Sequence, residues 1–318
     1  MTSLLCPNDS LNLSAHRNEQ FCSLIVMPDS SVKLEQIISS RLGESMKILR
    51  VSPVSGGSIN RCFRIETEKK RIFFCKTNSW SAFPGLFEKE KSGLQMLGGS
   101  GLVRVPSIIS CDREQDLQLL ILEWIDQKSP GNSCFEKFGA QLAALHGLTQ
   151  AKFGLSEDNY VGSIPQSNRQ HALWSTFFIE EHLRPLLEMA IRKKLLRTEN
   201  IPDFECVFSK IPGIFDKERP CLVHGDLWSG NFLCTEDDQP LLIDPACYFG
   251  HRSMDLAMTT LFGGFEKNFY EAYNHHYSFP SNYQEQWQVC NLYPLLIHLN
   301  LFGSGYLGSI LEIVNRFK

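Results

Sequence analysis

The dominant character of the hydrophobic pattern changes after Asp126. Before it, short runs have the character of β-strands: Lys47 to Val54, Arg61 to Thr67, Arg71 to Lys76 and Leu117 to Ile125. One amphipathic segment, Gly85 to Leu97, separates the third run from the fourth. After Asp126 apolar residues recur at helical spacing. Ser133 to Glu136 reads as a capping box, Phe135, Phe138, Leu142 and Leu145 share a face, and Gly147 is a stop. A longer helix is predicted from about Trp174 to Leu196, and two strand-like runs, Asn231 to Cys234 and Pro240 to Ile243, interrupt the helical pattern. The expected architecture is α+β: a small antiparallel-β lobe with one inserted helix, residues 29–126, then a larger, mostly helical lobe, residues 127–318. A cleft between them is the natural ligand site. Residues 1–28 are polar and aperiodic, and are expected to be a disordered extension. A helix is predicted after them from Leu34, Ile37, Ile38 and Leu42, with Gly43 as its stop.

Composition excludes several classes. With 43% apolar residues, 22 Phe, 8 Tyr and 5 Trp in 318 residues, the chain can bury a sizeable core. A net charge of −4 gives no electrostatic reason to expect a nucleic-acid partner. The 11 cysteines are scattered and odd in number, without a C-x-x-C pair or a secretory leader. Reduced, mostly buried thiols and a cytoplasmic location are expected. The apolar stretch Leu292 to Val314 contains His298, Asn300, Glu312 and three glycines. It reads as a buried core helix, so no membrane partner is expected.

The chemistry is concentrated in His224-Gly225-Asp226-Leu227-Trp228-Ser229-Gly230-Asn231. Its skeleton, H-x-D-x-x-x-x-N, has the spacing of a kinase catalytic loop. Asp226 would accept the proton of an attacking hydroxyl, and Asn231 would reach back to a Mg²⁺ on the phosphates of ATP. Asp244 follows the apolar run Leu241-Leu242-Ile243, where a second Mg²⁺ ligand belongs. Either motif alone could be an ordinary turn; the ordered pair is what selects the chemical reading.

The β-rich half supplies partners in matching order. Gly56, Gly57 and Ser58 lie between two strands and could offer backbone N–H groups to a nucleotide. Lys76 ends a strand and Glu90 lies in the next helix, the pairing that places α- and β-phosphates, with Glu88 as a competitor for that role. The backbone of Glu123, Trp124 and Ile125 would form the hinge and meet an adenine edge. Gly303-x-Gly305-x-x-Gly308 matches a dinucleotide fingerprint but follows no strand, so it is read as helix packing or a bend.

At this level of detail the chain resembles the fructosamine kinase (ketosamine 3-kinase) family, whose fold is protein-kinase-like and bilobal, shared with aminoglycoside phosphotransferases. The resemblance runs from about Val51 to Tyr306. It is carried by Val54-Ser-Gly-Gly57, Phe87 to Glu90, Gly139 to His146, Asp158 to Gly162, Pro165-Gln166 with Asn168, and the 224–231 loop. Asp244-Pro-Ala246, Phe249-Gly-His-Arg252, Asp255 to Thr259, Phe262-Gly-Gly-Phe265 and His298 to Gly303 complete it. The resemblance implies ATP-dependent phosphorylation of the third hydroxyl of a ketosamine, a sugar adduct on a free amine or a glycated protein lysine, and its subsequent loss from the amine. It also implies that Asp158, Asn159, Tyr160 and Trp228 line the sugar subsite, while His224 and Asp255 brace the catalytic loop.

The sequence departs from many relatives at Gln170 and Leu173, which bears on sugar preference and not on phosphoryl transfer. Ser58 stands where some relatives have a cysteine, so a redox switch there is not carried over. Two other readings remain open at this point. One is a small-molecule hydroxyl kinase of the aminoglycoside or choline type. The other is a non-catalytic pseudokinase, against which the intact set of base, lysine and metal ligands argues. The preferred sugar and the oligomeric state are left open.

Overall fold

The computed structural model describes residues 28–55, 59–215 and 217–318. The expected disorder of residues 1–28 concerns a segment of which all but Pro28 lies outside them, and Gly56, Gly57 and Ser58 lie outside them too. The N-terminal part holds α1 (Pro28–Leu42), β1 (Ile48–Val54), β2 (Arg61–Thr67), β3 (Ile72–Ser79), α2 (Leu86–Gly99), β4 (Ile108–Glu114) and β5 (Leu117–Glu123). Its five strands form one antiparallel sheet in the order β1-β2-β3-β5-β4.

Strand β5 explains why the sheet needs helices on both faces. Leu119 and Ile121 point to one side, where they join Ile65, Phe73 and Cys75 beneath Leu34 and Ile38 of α1. Leu120 and Leu122 point to the other side, against Leu86, Phe87 and Leu94 of α2. An apolar run without alternation is what burial on both faces demands. Strand β4 was not anticipated. It is an edge strand whose second half, Asp112-Arg113-Glu114, is polar, so no alternating apolar pattern marks it.

The C-terminal part begins with β6 (Gln127–Lys128), α3 (Asn132–Leu145), β7 (Asn159–Val161) and β8 (Ile164–Gln166). Helix α4 (Trp174–Phe177) passes through a π-helical turn, Phe178–Leu183, into α5 (Arg184–Arg192), and α6 (Ile201–Ile214) follows. Then come β9 (Cys221–Val223), β10 (Phe232–Thr235), β11 (Pro240–Leu242) and β12 (Tyr248–Gly250). Five helices close the chain: α7 (Ser253–Leu261), α8 (Lys267–His276), α9 (Tyr283–Cys290), α10 (Leu292–Phe302) and α11 (Leu307–Phe317).

Three local expectations are corrected. The capping box at Ser133 does not form: α3 starts at Asn132 behind an extended Gly131, with no side-chain cap. The helix expected over 174–196 contains a π turn, Phe178–Leu183, and ends at Arg192; within that turn Glu181 bonds Ser167, Arg169 and His171. The single helix expected over Leu292 to Val314 is two helices, broken at Gly303. The Gly303-x-Gly305-x-x-Gly308 sequence spans that bend, and no described helix is long and apolar enough to cross a membrane.

Helices α3 and α8 pack so closely that a Cβ on Gly139 would lie 2.3 Å from the Phe269 carbonyl oxygen and 2.8 Å from the Tyr273 nitrogen. Backbone cannot yield there, so Gly139→Ala should destabilise the protein by about 1–3 kcal/mol. Thermal unfolding checks this; an unchanged midpoint would show that the helices can separate at no cost. The nine cysteines among the described residues are free, and six of them are buried.

Candidate active site

The 224–231 loop follows β9, and its conformation depends on one glycine. Gly225 has φ +82°, and a Cβ there would lie 2.2 Å from the Ala246 carbonyl oxygen. The loop can therefore rest directly on the backbone that follows Asp244. Two side chains hold it. Asp255, buried on α7, accepts the His224 N–H at 2.7 Å and the Gly225 N–H at 2.9 Å. His146 stands 3.2 Å from the same carboxylate and 2.8 Å from the Tyr273 hydroxyl. Burial opposes the Asp255 charge, but these donors and the histidines outweigh it and keep its carboxyl below the ordinary range.

His224 accepts the Asp226 N–H through Nδ1 at 3.2 Å and donates from Nε2 to the Ile243 carbonyl at 2.9 Å. Those two partners define a neutral tautomer, and burial lowers its pKa accordingly. His224 thus ties the loop to the strand end that carries Asp244. His224 and Asp255 are both engaged by hydrogen bonds to the backbone of the 224–231 loop or of the strand end beside it.

Asp226 accepts the Asn231 Nδ2–H at 2.9 Å, and the same amide donates to the Asp226 backbone carbonyl at 2.8 Å. Burial, followed by the nearby Asp244 carboxylate, pushes Asp226 up to about 7, against the Asn231 hydrogen bond. Asn231 spends its NH₂ on Asp226, which orients the amide with its oxygen as the group left for a cation. Asp244 has φ +55°, a conformation that a non-glycine residue adopts at some cost. Its carboxylate is 42% exposed to the cleft and forms an ion pair with Lys76. Lys76 also contacts Glu90 at 2.8 Å, on α2; Glu88 does not make this contact. Burial alone would lower the Lys76 pKa, but the Asp244 and Glu90 carboxylates reverse that and hold it above the usual lysine range.

These groups line one cleft of 520 Å³. Its walls include Lys76, Glu90, Asp226, Trp228, Asn231 and Asp244, together with Glu123, Trp124 and Ile125 at the end of β5. Cys62 lines it as well, and burial raises its thiol to about 11. Ser55 and Ile59, which flank Gly56, Gly57 and Ser58, are also in the wall.

Several expected positions take different parts. The Glu123 N–H donates to Ser107 O at 2.9 Å, so it is not available to an adenine; the Glu123 carboxylate accepts from Ser107 N and Oγ. Asp158 is not in the cleft wall: its Oδ1 accepts the Asn168 N–H at 2.8 Å. Asn159 reaches the cleft, but its side-chain amide is occupied. Nδ2 donates to Cys247 O at 2.9 Å, and Oδ1 accepts from Gln166 at 2.7 Å and Asn168 at 2.8 Å. Tyr160 lines the cleft and donates its hydroxyl to Pro84 O at 3.1 Å, joining the two parts of the chain. Trp228 keeps an exposed face at the rim.

Sequence reasoning quoted Gln166 but gave it no role. Its Nε2 donates to Asn159 Oδ1 and, at 3.2 Å, to Ala246 O, while its Oε1 accepts from Tyr293. Together with Asn159 on Cys247 O and the Ala246 N–H on His224 O at 2.9 Å, this clamps the backbone just after the strained Asp244. Gln166→Leu should leave that carbonyl, and the Asn159 and Tyr293 groups, without partners. The expected results are a destabilisation of about 1–3 kcal/mol and a fall in kcat of roughly ten- to a hundredfold from misplacement. Loss of stability with full kcat would show that the clamp does not hold Asp244.

An antiparallel sheet over a helical part, with a lysine–glutamate pair, an Asp–Asn loop and a second aspartate around one cleft, defines a phosphotransferase of the protein-kinase-like class. The fructosamine kinase family model matches residues 30–318. A protein of Synechocystis provisionally named a ketoamine kinase is 36% identical over 277 residues, covering 86% of this chain and 92% of its own. The protein-ribulosamine 3-kinase of Arabidopsis thaliana, described as chloroplastic, is 32% identical over 304 residues, covering 94% and 90%. Among solved structures, a protein of Haemophilus somnus provisionally named a fructosamine-3-kinase superposes with TM-score 0.83 at 26% identity, covering 89% of this chain and 96% of that one. The chain belongs to the fructosamine kinase family, and is an ATP-dependent kinase that acts on a hydroxyl group.

Proposed function

We propose that this protein is a ketosamine 3-kinase, transferring the γ-phosphoryl group of ATP to the third hydroxyl of a ribulosamine, erythrulosamine or fructosamine. The acceptor is carried by a protein lysine or a free amine, and phosphorylation makes the adduct labile enough to leave it. The observation that carries the reading is the Asp226–Asn231 pair set against Asp244 and the Lys76–Glu90 pair in one cleft.

The roles follow from the chemistry of each group. Asp226 takes the proton of the attacking hydroxyl, and its raised pKa matches that task. Lys76, held by Glu90, places the α- and β-phosphates. Trp124 and Ile125, and the segment from Gly56 to Ser58, receive the rest of the nucleotide. Asn231 and Asp244 offer an amide oxygen and a carboxylate, hard donors that suit Mg²⁺. When bound, that ion neutralises charge on the phosphates. Residues 29–126 serve the nucleotide, and residues 127–318 carry the base and the acceptor subsite, where Trp228 and Tyr160 face the sugar. Asp158 and Asn159 support that subsite from behind, through Asn168 and Cys247.

The test is ADP release from Mg-ATP with lysine-linked ribulosamine and with fructosamine, each beside a sugar-free control. Sugar-dependent release is expected, and the two rates rank the sugars. Release independent of either sugar, or none in a protein that binds ATP, would assign the site to another acceptor.

A further inference from the structure

Three of the six exposed large apolar side chains among the described residues stand together at one edge of the cleft: Trp228 at 37%, Phe262 at 39% and Phe302 at 50% exposure. They are joined by rings. Trp228 meets Phe262 edge-on at 6.1 Å, Phe262 meets His298 at 4.8 Å, and His298 meets both Phe302 at 5.4 Å and Tyr306 at 5.0 Å. These residues come from the catalytic loop, the segment after α7, helix α10 and the bend after it. Of the five, only Trp228 also lines the cleft. The strip is therefore a surface continuous with the site, and none of its members carries a carboxylate or an ammonium group. Contiguous exposed apolar surface of this kind marks a contact with another molecule.

We infer that the strip Trp228–Phe262–His298–Phe302–Tyr306 is the docking surface for the amine side of the acceptor, a polypeptide segment bearing the sugar-modified lysine. The inference rests on the ketosamine reading above. With the reacting hydroxyl at Asp226, the sugar occupies the cleft and its amine nitrogen, a few bonds away, must leave past the rim. Trp228, two positions along the chain from Asp226, is the aromatic residue of the cleft wall with an exposed face. A secondary ammonium is a cation, and the faces of Trp228 and Phe262 attract one without the desolvation cost of a carboxylate partner. Beyond the nitrogen lies the lysine hydrocarbon chain, then peptide backbone and its neighbours. Phe302 and Tyr306 lie further along the same row of rings, so apolar residues beside the modified lysine meet apolar surface.

The experiment compares two acceptors with the same sugar: the ribulosamine of methylamine, and a ribulosamine on a lysine flanked by leucines in a short peptide. For the wild type, KM for the peptide adduct should be lower by about tenfold, the scale of one or two aromatic contacts. Phe302→Ser and Phe262→Ser should raise the peptide KM towards the methylamine value with kcat little changed. Phe302→Tyr should keep the preference, and Leu49→Ser, an exposed leucine on β1, serves as the surface control. Equal KM values for the two adducts in the wild type would overturn the proposal while leaving the ketosamine reading intact. So would Phe302→Ser raising both KM values alike, or converting a dimer to monomers in sedimentation without changing KM, which would make a second copy the occupant. Turnover of neither adduct would overturn the ketosamine reading and the strip with it.

Discussion

Asp226→Asn should lower kcat by about 10²–10⁴-fold, the usual contribution of a general base, without lowering the melting temperature. The two halves of this expectation have one cause. Burial and the Asp244 carboxylate raise Asp226 to about 7, well above its ordinary value of 3.8. Between those values the unfolded chain has released a proton that the native state keeps. Native stability from this group is therefore greatest at low pH and declines as pH rises towards 7. Asparagine is neutral throughout and keeps a carbonyl oxygen for the Asn231 amide, so the variant should melt no lower than the wild type at pH 8. What it cannot do is accept a proton. ADP release with a ketosamine and thermal unfolding, measured side by side, decide the matter. Near wild-type turnover would remove Asp226 from the role of base, and a collapse in stability would make the kinetic loss uninformative about chemistry.

Lys76→Met should lower kcat by about 10²–10³-fold, the effect of removing one preorganised charge at a transferring phosphoryl group, and should raise KM for ATP. Its effect on stability depends on pH in an unusual direction. Breaking a buried ion pair leaves uncompensated charge and typically costs about 3–5 kcal/mol. Here Glu90 has an escape. Burial raises it to about 7 from an ordinary 4.5 even beside the lysine, and without the lysine its pKa must rise further. The methionine variant can therefore bury a protonated, neutral Glu90. Since the raised pKa means that the native state holds the extra proton, stability is retained in mild acid and lost as pH climbs through the native value. The variant should be closest to wild type near pH 5–6 and weakest near pH 8. A difference in melting temperature that does not widen between those limits would mean that Glu90 is not the group left stranded. Adding Glu90→Gln should then recover much of the alkaline loss, which separates the pair from general damage to the sheet.

Much of this site could be read from local spacing, and the reason is physical. The distance from His224 to Asn231 is short enough that one loop conformation sets all three side chains, so sequence spacing stands in for geometry. Lys76 and Glu90 were legible for a similar reason: each sits at a predictable position on a regular element, β3 or α2, and they meet where those elements pack. The run Leu117 to Ile125 was likewise legible as a strand, and Gly303-x-Gly305-x-x-Gly308, which follows no strand, falls at the bend between α10 and α11.

Other features were decided only by the tertiary structure. The family resemblance put Asp158 and Asn159 in the sugar subsite, yet their hydrogen bonds go to Asn168 and to Cys247, and nothing in the order of residues names those partners. Gln166 clamps Ala246 from 80 residues away and meets Tyr293 from 127 away. Glu123 turns its carboxylate to Ser107 because β4, unmarked by any alternation, lies beside it. The exposed row from Trp228 to Phe302 is assembled from the catalytic loop, the α7–α8 connection and α10, each unremarkable alone. The sequence by itself determined which groups could do the chemistry, because bonding geometry along the backbone is local. Which of them stay open to the cleft and which hold the others in place was settled by contacts between distant segments, where burial and hydrogen-bond satisfaction, not spacing, select the partner.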